Sequence, residues 1–504
     1  MIYFQSLTKA ELAELILPHA RVRGREIGEE ERERKAKKQA AYRAQQIFHW
    51  VYQRFITDFD EMSDISKELR AWLKENVEIY RLTERVSNQA LDGTHKFLWT
   101  LPDQKTIESV IIPAALQEKS GSEAIDRLSE KEDAEADALE AKASSSSQPR
   151  RGHPNALGAQ NPKKPVPESV QMANGVRFSG RQTDATVDSG KWGRLTACIS
   201  SQVGCAMACK FCLTGVQGLD RSLKTHEIVA QVHELRRRAP ITNIVFMGMG
   251  EPLHNLDHVA KACQILLDQD GMGFSKRKVT VSTSGLVPAI TELGKRVDVS
   301  LAISLNASTD EQRSRIMPVN KKWNIAALME ACRNFPLGPH RRITFEYVML
   351  RDFNDTLEDA ARVVKLTRGI PSKVNLIPFN EHSGSEFKRP DDATVKRFQR
   401  TLLDRGVTAT VRISRGRDIL AACGQLRSIF GTARGTEKHK DWSRSEAALE
   451  PTGLSPLDDA QGSEAKANAA MNETADAIAN AAVTPVAGLA TGVPAAATGA
   501  ETSA

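Results

Sequence analysis

Short apolar runs alternate with amphipathic stretches between about residues 195 and 432, and this is the strongest pattern in the chain. Seven runs have the length and composition of strands: Thr196–Ser200, Asn243–Met247, Lys278–Ser282, Ser300–Ser304, Ile343–Met349, Lys373–Ile377 and Val407–Ile413. The pattern predicts helices between them: His226–Arg238, Leu256–Leu267, Leu286–Gly294, Ile325–Arg333, Thr356–Thr367 and Asp392–Asp404. This repetition predicts an α/β fold, in which a parallel sheet covered by helices forms a complete or partial (β/α) barrel.

The rest of the chain divides by pattern into four regions. Residues 1–85 have helical periodicity, with Ile47, Val51 and Phe55 one turn apart, and residues 86–113 change to strand-like alternation that predicts a hairpin extension. Residues 114–190 are acidic, then rich in serine, proline and glycine, and residues 434–504 are rich in alanine and threonine. We expect both segments to be disordered, because they cannot bury enough apolar surface to offset their ordering entropy. The barrel core is then residues 191–433.

The amino-acid composition indicates the cellular compartment of the protein but not its function. The chain has 504 residues, a formal net charge of +6 and 40% hydrophobic residues, which permits an anionic partner such as RNA without arguing for one. Its seven cysteines do not suggest a disulfide framework and fit a reducing compartment. We see no secretory signal and no apolar run of membrane-spanning length. We therefore expect a cytoplasmic protein without a membrane partner.

Cys205, Cys209 and Cys212 form a C-x3-C-x2-C loop that directly follows the first predicted barrel strand. Cys thiolates are the usual ligands of iron–sulfur clusters. Three of them can hold a [4Fe–4S] cluster and leave one iron open to bind a small molecule. The run also matches the signature of radical S-adenosylmethionine (SAM) proteins. Cys198, seven residues before Cys205, is an alternative fourth ligand that would close the site.

Polar and flexible residues follow four more of the predicted strands. They are Gly250 and Glu251 in Gly248-Met249-Gly250-Glu251-Pro252, then Ser282, then Ser304, Leu305 and Asn306, and finally Asn380. Each group alone is ordinary, and a glycine pair alone usually marks a tight turn. Because the carboxyl ends of parallel strands meet at one edge of a barrel, the groups together predict a ligand site. Glu251 could accept a hydrogen bond from an ammonium group.

Cys423 differs from the other cysteines outside the cluster loop. Cys263 and Cys332 fall within predicted helices, where a lone Cys is usually a small buried hydrophobe. Cys423 follows the last predicted strand, precedes a glycine and lies in a loop that begins with Arg415 and Arg417. Nearby cations raise the thiolate fraction of a cysteine. Cys423 is therefore a candidate reactive thiol.

Four runs of the chain closely resemble the RlmN family of radical SAM RNA methyltransferases. They are Ala197–Cys212, Gly248–Leu253, Ser282–Gly285 and Ala421–Leu426, and the segment Gln46–Tyr52 resembles the small helical domain of that family. The resemblance covers about residues 1–113 and 193–433. The insertion and the tail lie outside it.

The resemblance implies a function for each matching residue. Cys205, Cys209 and Cys212 would hold the [4Fe–4S] cluster, and the strand-end residues named above would contact SAM. One SAM would methylate Cys423, and a second would give a radical that takes a hydrogen atom from the S-methyl group. The resulting carbon would add to C2 of adenine, a base at Glu108 would remove the C2 proton, and Cys198 would release the product through a disulfide bond with Cys423.

The family also implies the substrates and partners. These are adenosine in large-subunit (23S) ribosomal RNA, adenosine next to the tRNA anticodon, and an external electron donor such as flavodoxin. We expect a monomer whose helical N-terminal domain grips the RNA. Basic groups that could track phosphates are Arg236–Arg238, Lys276–Lys278, Arg341–Arg342 and Arg412–Arg417.

Two departures from the family pattern and several rival functions stay open from sequence. About eighty residues separate the strand of Glu108 from that of Cys198, where relatives have a short link, and Asn306 stands where relatives often carry His. The position of Glu108 therefore depends on a hairpin that closes across the insertion. The rivals are an adenine-C8 methyltransferase of Cfr type, a glycyl-radical activase or other radical SAM enzyme, and an RNA-binding module with a structural metal.

Overall fold

The computed structural model describes residues 1–20, 28–114, 170–171, 177–178, 194–382, 384–412 and 414–426. Most of the expected disordered insertion at 114–190 and all of the expected tail at 434–504 lie outside the described residues. Within the insertion, strands β6 (Val170–Gln171) and β7 (Arg177–Phe178) form an antiparallel pair.

The N-terminal region is helical, as predicted, and has its own apolar centre. It contains α1 (Lys9–Leu15), α2 (Glu29–Tyr52) and α3 (Lys67–Asn76), together with a parallel pair of short strands, β1 (Ile2–Tyr3) and β2 (Val77–Glu78). Glutamates fill the first turn of α2, where the helix dipole favours negative charge. Apolar residues of α2 that are fully buried face α1, which fixes the two helices against each other.

Ten strands form one sheet, in the order β16-β15-β14-β13-β12-β11-β8-β5-β4-β3. Their bounds are β3 Thr83–Gln89, β4 His95–Thr100, β5 Thr106–Pro113, β8 Leu195–Cys198, β11 Asn243–Phe246, β12 Val279–Thr283, β13 Ser300–Ser304, β14 Ile343–Met349, β15 Ser372–Pro378 and β16 Ala409–Val411. The seven strands from β8 to β16 are parallel, and β3, β4 and β5 are antiparallel. The partial parallel barrel is therefore confirmed.

The antiparallel strands belong to the barrel sheet rather than to a separate extension. Strand β5 pairs with β8 along four residues, which places Val110 opposite Cys198 and Ile112 opposite Thr196. Strand β3 also begins at Thr83, before the expected boundary at residue 86. The hairpin thus closes across the insertion and places the strand of Glu108 next to the strand of Cys198.

Eight helices lie among the described residues from 194 onward. They are α4 (Leu213–Gln217), α5 (Thr225–Arg238), α6 (Leu256–Leu267), α7 (Val287–Arg296), α8 (Asp310–Ile316), α9 (Ile325–Arg333), α10 (Leu357–Thr367) and α11 (Asp392–Asp404). Short 3-10 helices occur at Phe4–Ser6, Leu17–His19, Phe59–Glu61, Pro252–Asn255, Lys276–Lys278, Pro318–Lys321 and Arg417–Ile419. No helix in the described parts of the chain is both long and apolar enough to cross a membrane.

The sheet core is apolar because parallel strands are covered on both faces. Ile244, Val281, Leu301, Phe345 and Leu376 come from five adjacent strands and are all fully buried. Each such side chain contributes roughly 1.5–3 kcal/mol relative to full exposure. Polar side chains therefore gather at the strand ends, where the loops begin.

Candidate active site

The cysteine loop lies between the two strands of a short hairpin, and this hairpin requires a glycine at position 204. Strands β9 (Gln202–Gly204) and β10 (Leu219–Ser222) flank the loop and pair with each other. Gly204 has a φ of +78°, and a Cβ there would lie 1.9 Å from the carbonyl oxygen of Gly218. That oxygen accepts the N–H of Cys205 at 2.9 Å. The hairpin therefore fixes the first cysteine against the last residue of the loop.

Cys205, Cys209 and Cys212 line one cavity, and each is half-buried. Burial is the main cause that raises the pKa of all three thiols, and the charge of a neighbouring cysteine raises those of Cys205 and Cys209 further. Within the described parts of the chain, no group of three or more His, Cys, Asp or Glu could hold a metal ion. The three thiolates are instead suited to separate irons of a cluster, whose binding would displace their protons.

Two glycines let the loop after β11 approach the cysteine hairpin. A Cβ on Gly248 would lie 2.7 Å from the carbonyl of Ile199, and a Cβ on Gly250 would lie 2.5 Å from the Cβ of Gln202. Gly250 also has a φ of +100°. Both positions therefore exclude a side chain, and both glycines line the cavity.

Glu251 connects the ends of strands β11 and β12 through hydrogen bonds. Its Oε1 accepts the N–H of Leu253 at 3.0 Å, and its Oε2 accepts the N–H of Ser284 at 2.7 Å. Burial raises the pKa of the carboxyl, and the two backbone N–H groups oppose that shift. Each oxygen keeps a second lone pair, so Glu251 can still accept a hydrogen bond from a ligand.

Two polar atoms in the cavity wall are buried without a hydrogen-bond partner. They are the hydroxyl of Ser284 and the side-chain oxygen of Asn380. The amide nitrogen of Asn380 donates to the carbonyl of Cys423 at 3.3 Å, which fixes the direction of its oxygen. Buried polar atoms are almost always paired, so this wall is suited to a polar ligand. Ser284 lies in the predicted serine motif, but sequence reasoning selected Ser282.

The other residues predicted to contact SAM differ in whether their side chains line the cavity and in the hydrogen bonds that they already form. Ser282 and Ser304 line the cavity. Asn306 also lines it, but its oxygen accepts the N–H of Val348 at 2.8 Å and its nitrogen lies 3.3 Å from the sulfur of Met317. The side chain of Leu305 is fully buried and is absent from the lining.

Cys198 is buried at the end of β8, outside the cavity lining, and its charge interacts with that of Cys423. Burial, followed by the charge of Cys423, raises the pKa of Cys198 to about 12. Cys423 lines the cavity, and the carbonyl of the next residue, Gly424, accepts the N–H of Leu213 at 2.8 Å. The Cys423 loop therefore lies against the residue that follows the third cluster cysteine. The electrostatic partner of Cys198 is Cys423, which does not favour Cys198 as a fourth cluster ligand.

Arg412 interacts electrostatically with both thiols, a role that sequence reasoning missed. It lines the cavity, and the charges of Cys423, Glu346 and Cys198 raise its pKa against the effect of burial. The sequence instead groups Arg412 with the basic residues that could track phosphates. Its place directly after β16 is the same strand-end signal that identified the other cavity residues.

Glu108 is buried rather than directed to solvent, and it forms an ion pair with Lys96 at 3.1 Å. The same ammonium group donates to the carbonyl of Leu420 at 3.2 Å, and the hydroxyl of Ser200 donates to the carbonyl of Glu108 at 2.6 Å. Glu108 is not part of the cavity lining. Lys96 therefore connects Glu108, which lies outside the cavity lining, to the loop of Cys423.

Known protein families match both the barrel and the helical N-terminal region of this chain. The family model of the Radical SAM superfamily matches residues 199–364, and that of the ribosomal RNA large subunit methyltransferase N-terminal domain matches residues 35–79. The "Dual-specificity RNA methyltransferase RlmN" of Geobacter sulfurreducens is 43% identical over 431 residues, which are 86% of this chain and 98% of that protein. The chain belongs to the RlmN family. The "Dual-specificity RNA methyltransferase RlmN 2" of Myxococcus xanthus is also 43% identical, over 79% of this chain and 87% of that protein.

A solved structure with a similar fold agrees. The "radical SAM methyltransferase from Sphaerobacter thermophilus" has a TM-score of 0.61 and 34% identity, and the match covers 85% of this chain and 99% of that one. As a radical SAM member of the RlmN family, the protein is an enzyme that uses a [4Fe–4S] cluster and SAM. The three cavity thiols and the unpaired atoms of Ser284 and Asn380 fit these two cofactors.

Proposed function

We propose that the protein methylates C2 of adenosine in 23S rRNA and in tRNA next to the anticodon, through an S-methylcysteine at Cys423. The observation that carries the proposal is the second thiol pair, Cys198 and Cys423, beside the cluster cysteines. An enzyme that only generates a radical needs no such pair. Family membership favours the C2 position over the C8 position of the Cfr type.

The cavity residues divide the binding of the cofactors between them. Cys205, Cys209 and Cys212 hold the cluster. Gly250 lets the backbone approach SAM, while Glu251, Ser282, Ser304, Asn306 and Asn380 contact it, and Ser284 adds a free hydroxyl. Leu305 contributes through its backbone, because its side chain is in the core.

Cys423 carries the methyl group. Its thiolate, beside the guanidinium of Arg412, displaces the methyl group of one SAM and leaves S-adenosylhomocysteine. A cluster held by the three cysteines, together with a second SAM, would supply the radical that activates the S-methyl group of Cys423 and would take up the electron released once its carbon is bonded to C2. Glu108 takes the C2 proton. The buried pair with Lys96 fixes its carboxylate behind the loop of Cys423.

Cys198 frees the product. Its thiolate attacks the sulfur of Cys423, the bond between that sulfur and the product methylene breaks, and the carbon takes up a proton to become the methyl group. The disulfide that remains is reduced by an external dithiol. An external one-electron donor such as flavodoxin reduces the cluster.

We further propose a cytoplasmic monomer, in keeping with seven free thiols, and an RNA-binding role for residues 1–85.

Nucleoside mass spectrometry tests the proposal. The anaerobically reconstituted protein is incubated with 23S rRNA fragments and tRNA transcripts, SAM and a reductant. We expect 2-methyladenosine from the wild type and none from Cys423→Ala. The matched control Cys263→Ala alters a buried helical cysteine outside the cavity lining and should keep activity. Formation of 8-methyladenosine, or product from Cys423→Ala, would contradict the proposal.

A further inference from the structure

Arg313 is a fully buried cation that lies under the rim of the cavity. It is in the middle of α8 and has no exposed surface. Its guanidinium donates to the carbonyls of Leu305 at 3.0 Å, Ser284 at 2.5 Å and Ser304 at 3.0 Å. A fourth hydrogen bond reaches the side-chain oxygen of Asn320 at 3.1 Å. No step of the proposed reaction uses this residue.

Three of these four acceptors are the backbone of the SAM-binding rim. Ser284 follows β12, and Ser304 and Leu305 end β13, so one planar group connects two neighbouring strand ends. The side chains of Ser284 and Ser304 line the cavity on the other side. Lysine could not replace this connection, because an ammonium group lacks the rigid fork of a guanidinium.

Within the part of the chain that the structure describes, the positive charge of Arg313 has no carboxylate partner in direct contact, and the charge of Asp310 favours it only from a longer distance. Among the described residues, no carboxylate lies within ion-pair distance of it. Asp310, on the same helix, instead accepts hydrogen bonds from the amide of Asn320 at 2.9 Å and the N–H of Ile325 at 2.8 Å. A buried cation without an anion is costly to fold, so an anion that binds nearby would be favoured.

The cysteine loop lies against the end of α8, so a cluster held by that loop would be a partner for this charge. The N–H of Lys210, inside the cysteine loop, donates to the carbonyl of Ile316 at the end of α8 (3.0 Å). The charges of Cys209 and Arg313 interact, which indicates that the guanidinium lies near the second cysteine of the loop. A [4Fe–4S] cluster with three thiolates is anionic and gains a further negative charge on reduction, and nearby charge helps to set its reduction potential.

We propose that Arg313 is a positioning residue with two roles: its guanidinium holds the SAM-binding ends of β12 and β13, and its charge, which has no ion-pair partner among the described residues, favours reduction of the cluster. The inference rests on the proposed cofactor site. It assigns a function to α8, a helix that otherwise contributes no side chain to the cavity lining. The two roles depend on different properties of the residue, fork geometry and charge, so that substitutions separate them.

Arg313→Lys, Arg313→Gln and Arg362→Gln test the two roles. Arg362 is the matched control, because its guanidinium is balanced by Asp359 at 2.7 Å. Each protein is reconstituted anaerobically, its iron and sulfide are counted, and its fold is compared by circular dichroism. The midpoint potential of the cluster is then measured without SAM by titration followed by electron paramagnetic resonance. SAM affinity is measured separately by equilibrium dialysis.

We expect Arg313→Gln to have a more negative midpoint potential and at least about tenfold weaker SAM binding. Arg313→Lys should keep the wild-type potential and lose SAM affinity, while Arg362→Gln should keep both. A wild-type potential in Arg313→Gln overturns the electrostatic role. Wild-type SAM affinity in Arg313→Lys overturns the positioning role, even if Arg313→Gln fails to fold. A wild-type protein that assembles no cluster would instead refute the proposed function itself.

Discussion

The carboxylate of Glu108 and the ammonium group of Lys96 form a buried ion pair of 3.1 Å between adjacent strands. Because Lys96 also donates to Leu420, the pair is connected to the loop that carries Cys423. The connection joins residues that are 324 positions apart in the chain. A base that acts on RNA attached to Cys423 would need such a fixed position.

Glu108→Gln keeps the size of the side chain but removes its ability to take a proton. If Glu108 is the base, formation of 2-methyladenosine should fall by about a hundredfold or more, and an RNA adduct at Cys423 should accumulate. Methylation of Cys423 itself should not change. The measurement is product formation together with gel analysis of crosslinked RNA. Glu234→Gln, a buried ion-paired glutamate outside the cavity lining, is the control. Product at the wild-type rate from Glu108→Gln would exclude this role.

Gly250→Ala should weaken SAM binding by about tenfold or more. The new Cβ would lie 2.5 Å from Gln202, and the shift needed to relieve that clash would displace Glu251, the next residue. Gly369→Ala is the control, because Gly369 has a φ of +77° with open space around its Cβ position. It should lose about 1 kcal/mol of stability and keep SAM affinity. Equal SAM affinity in both variants, measured by equilibrium dialysis, would argue against close approach at Gly250.

His233 should make the contact between the N-terminal region and the barrel sensitive to acid. Its Nε2 donates to the carbonyl of Val51 at 3.1 Å, its ring stacks on Phe55, and burial lowers its pKa to about 4. The unfolded chain binds this proton near pH 6.5, so the unfolding free energy should fall as the pH drops from about 6.5 to about 4. Between pH 7 and 5 the expected loss is roughly 2 kcal/mol.

Urea unfolding at pH 7 and pH 5 measures this loss in the wild type and in His233→Gln. The variant cannot titrate at this position, so its pH dependence should be smaller. His226, whose pKa is also lowered to about 4, accounts for a remaining part. The same pH dependence in both proteins would show that His233 stays neutral in the unfolded chain or is charged in the fold.

Arg412→Gln should slow the methylation of Cys423 by about tenfold, since both residues line the cavity and the guanidinium interacts with the charge of the attacking sulfur. The reaction is followed in a single turnover without RNA, by mass spectrometry of the Cys423 peptide. Arg417→Gln, which changes an exposed arginine of the same loop, is the control. If the two variants react at the same rate, the charge of Arg412 has no part in this step.

The sequence predicts the elements whose buried faces are apolar. Strands β13 and β14 and helices α6, α9 and α11 have the predicted bounds, because period-2 and period-3.6 patterns mark one buried face. Helix α8 was missed, since the largest side chain that it buries is Arg313, and a charged residue indicates an exposed face. For the same reason, the sequence pattern does not predict the burial of Glu108 and Arg412. Contacts with the Cys423 loop and the cavity decide their burial, and these contacts are distant in sequence.

Mass spectrometry of the Cys423 peptide is the most direct test of the central claim. Wild type, Cys198→Ala and Cys423→Ala are purified anaerobically from cells that lack their own adenine-C2 methylase. We predict an S-methyl group on Cys423 in the wild type and an RNA crosslink at Cys423 in Cys198→Ala. An unmodified Cys423, together with undiminished product from Cys423→Ala, would contradict a methyl-carrying cysteine and require a different radical SAM reaction.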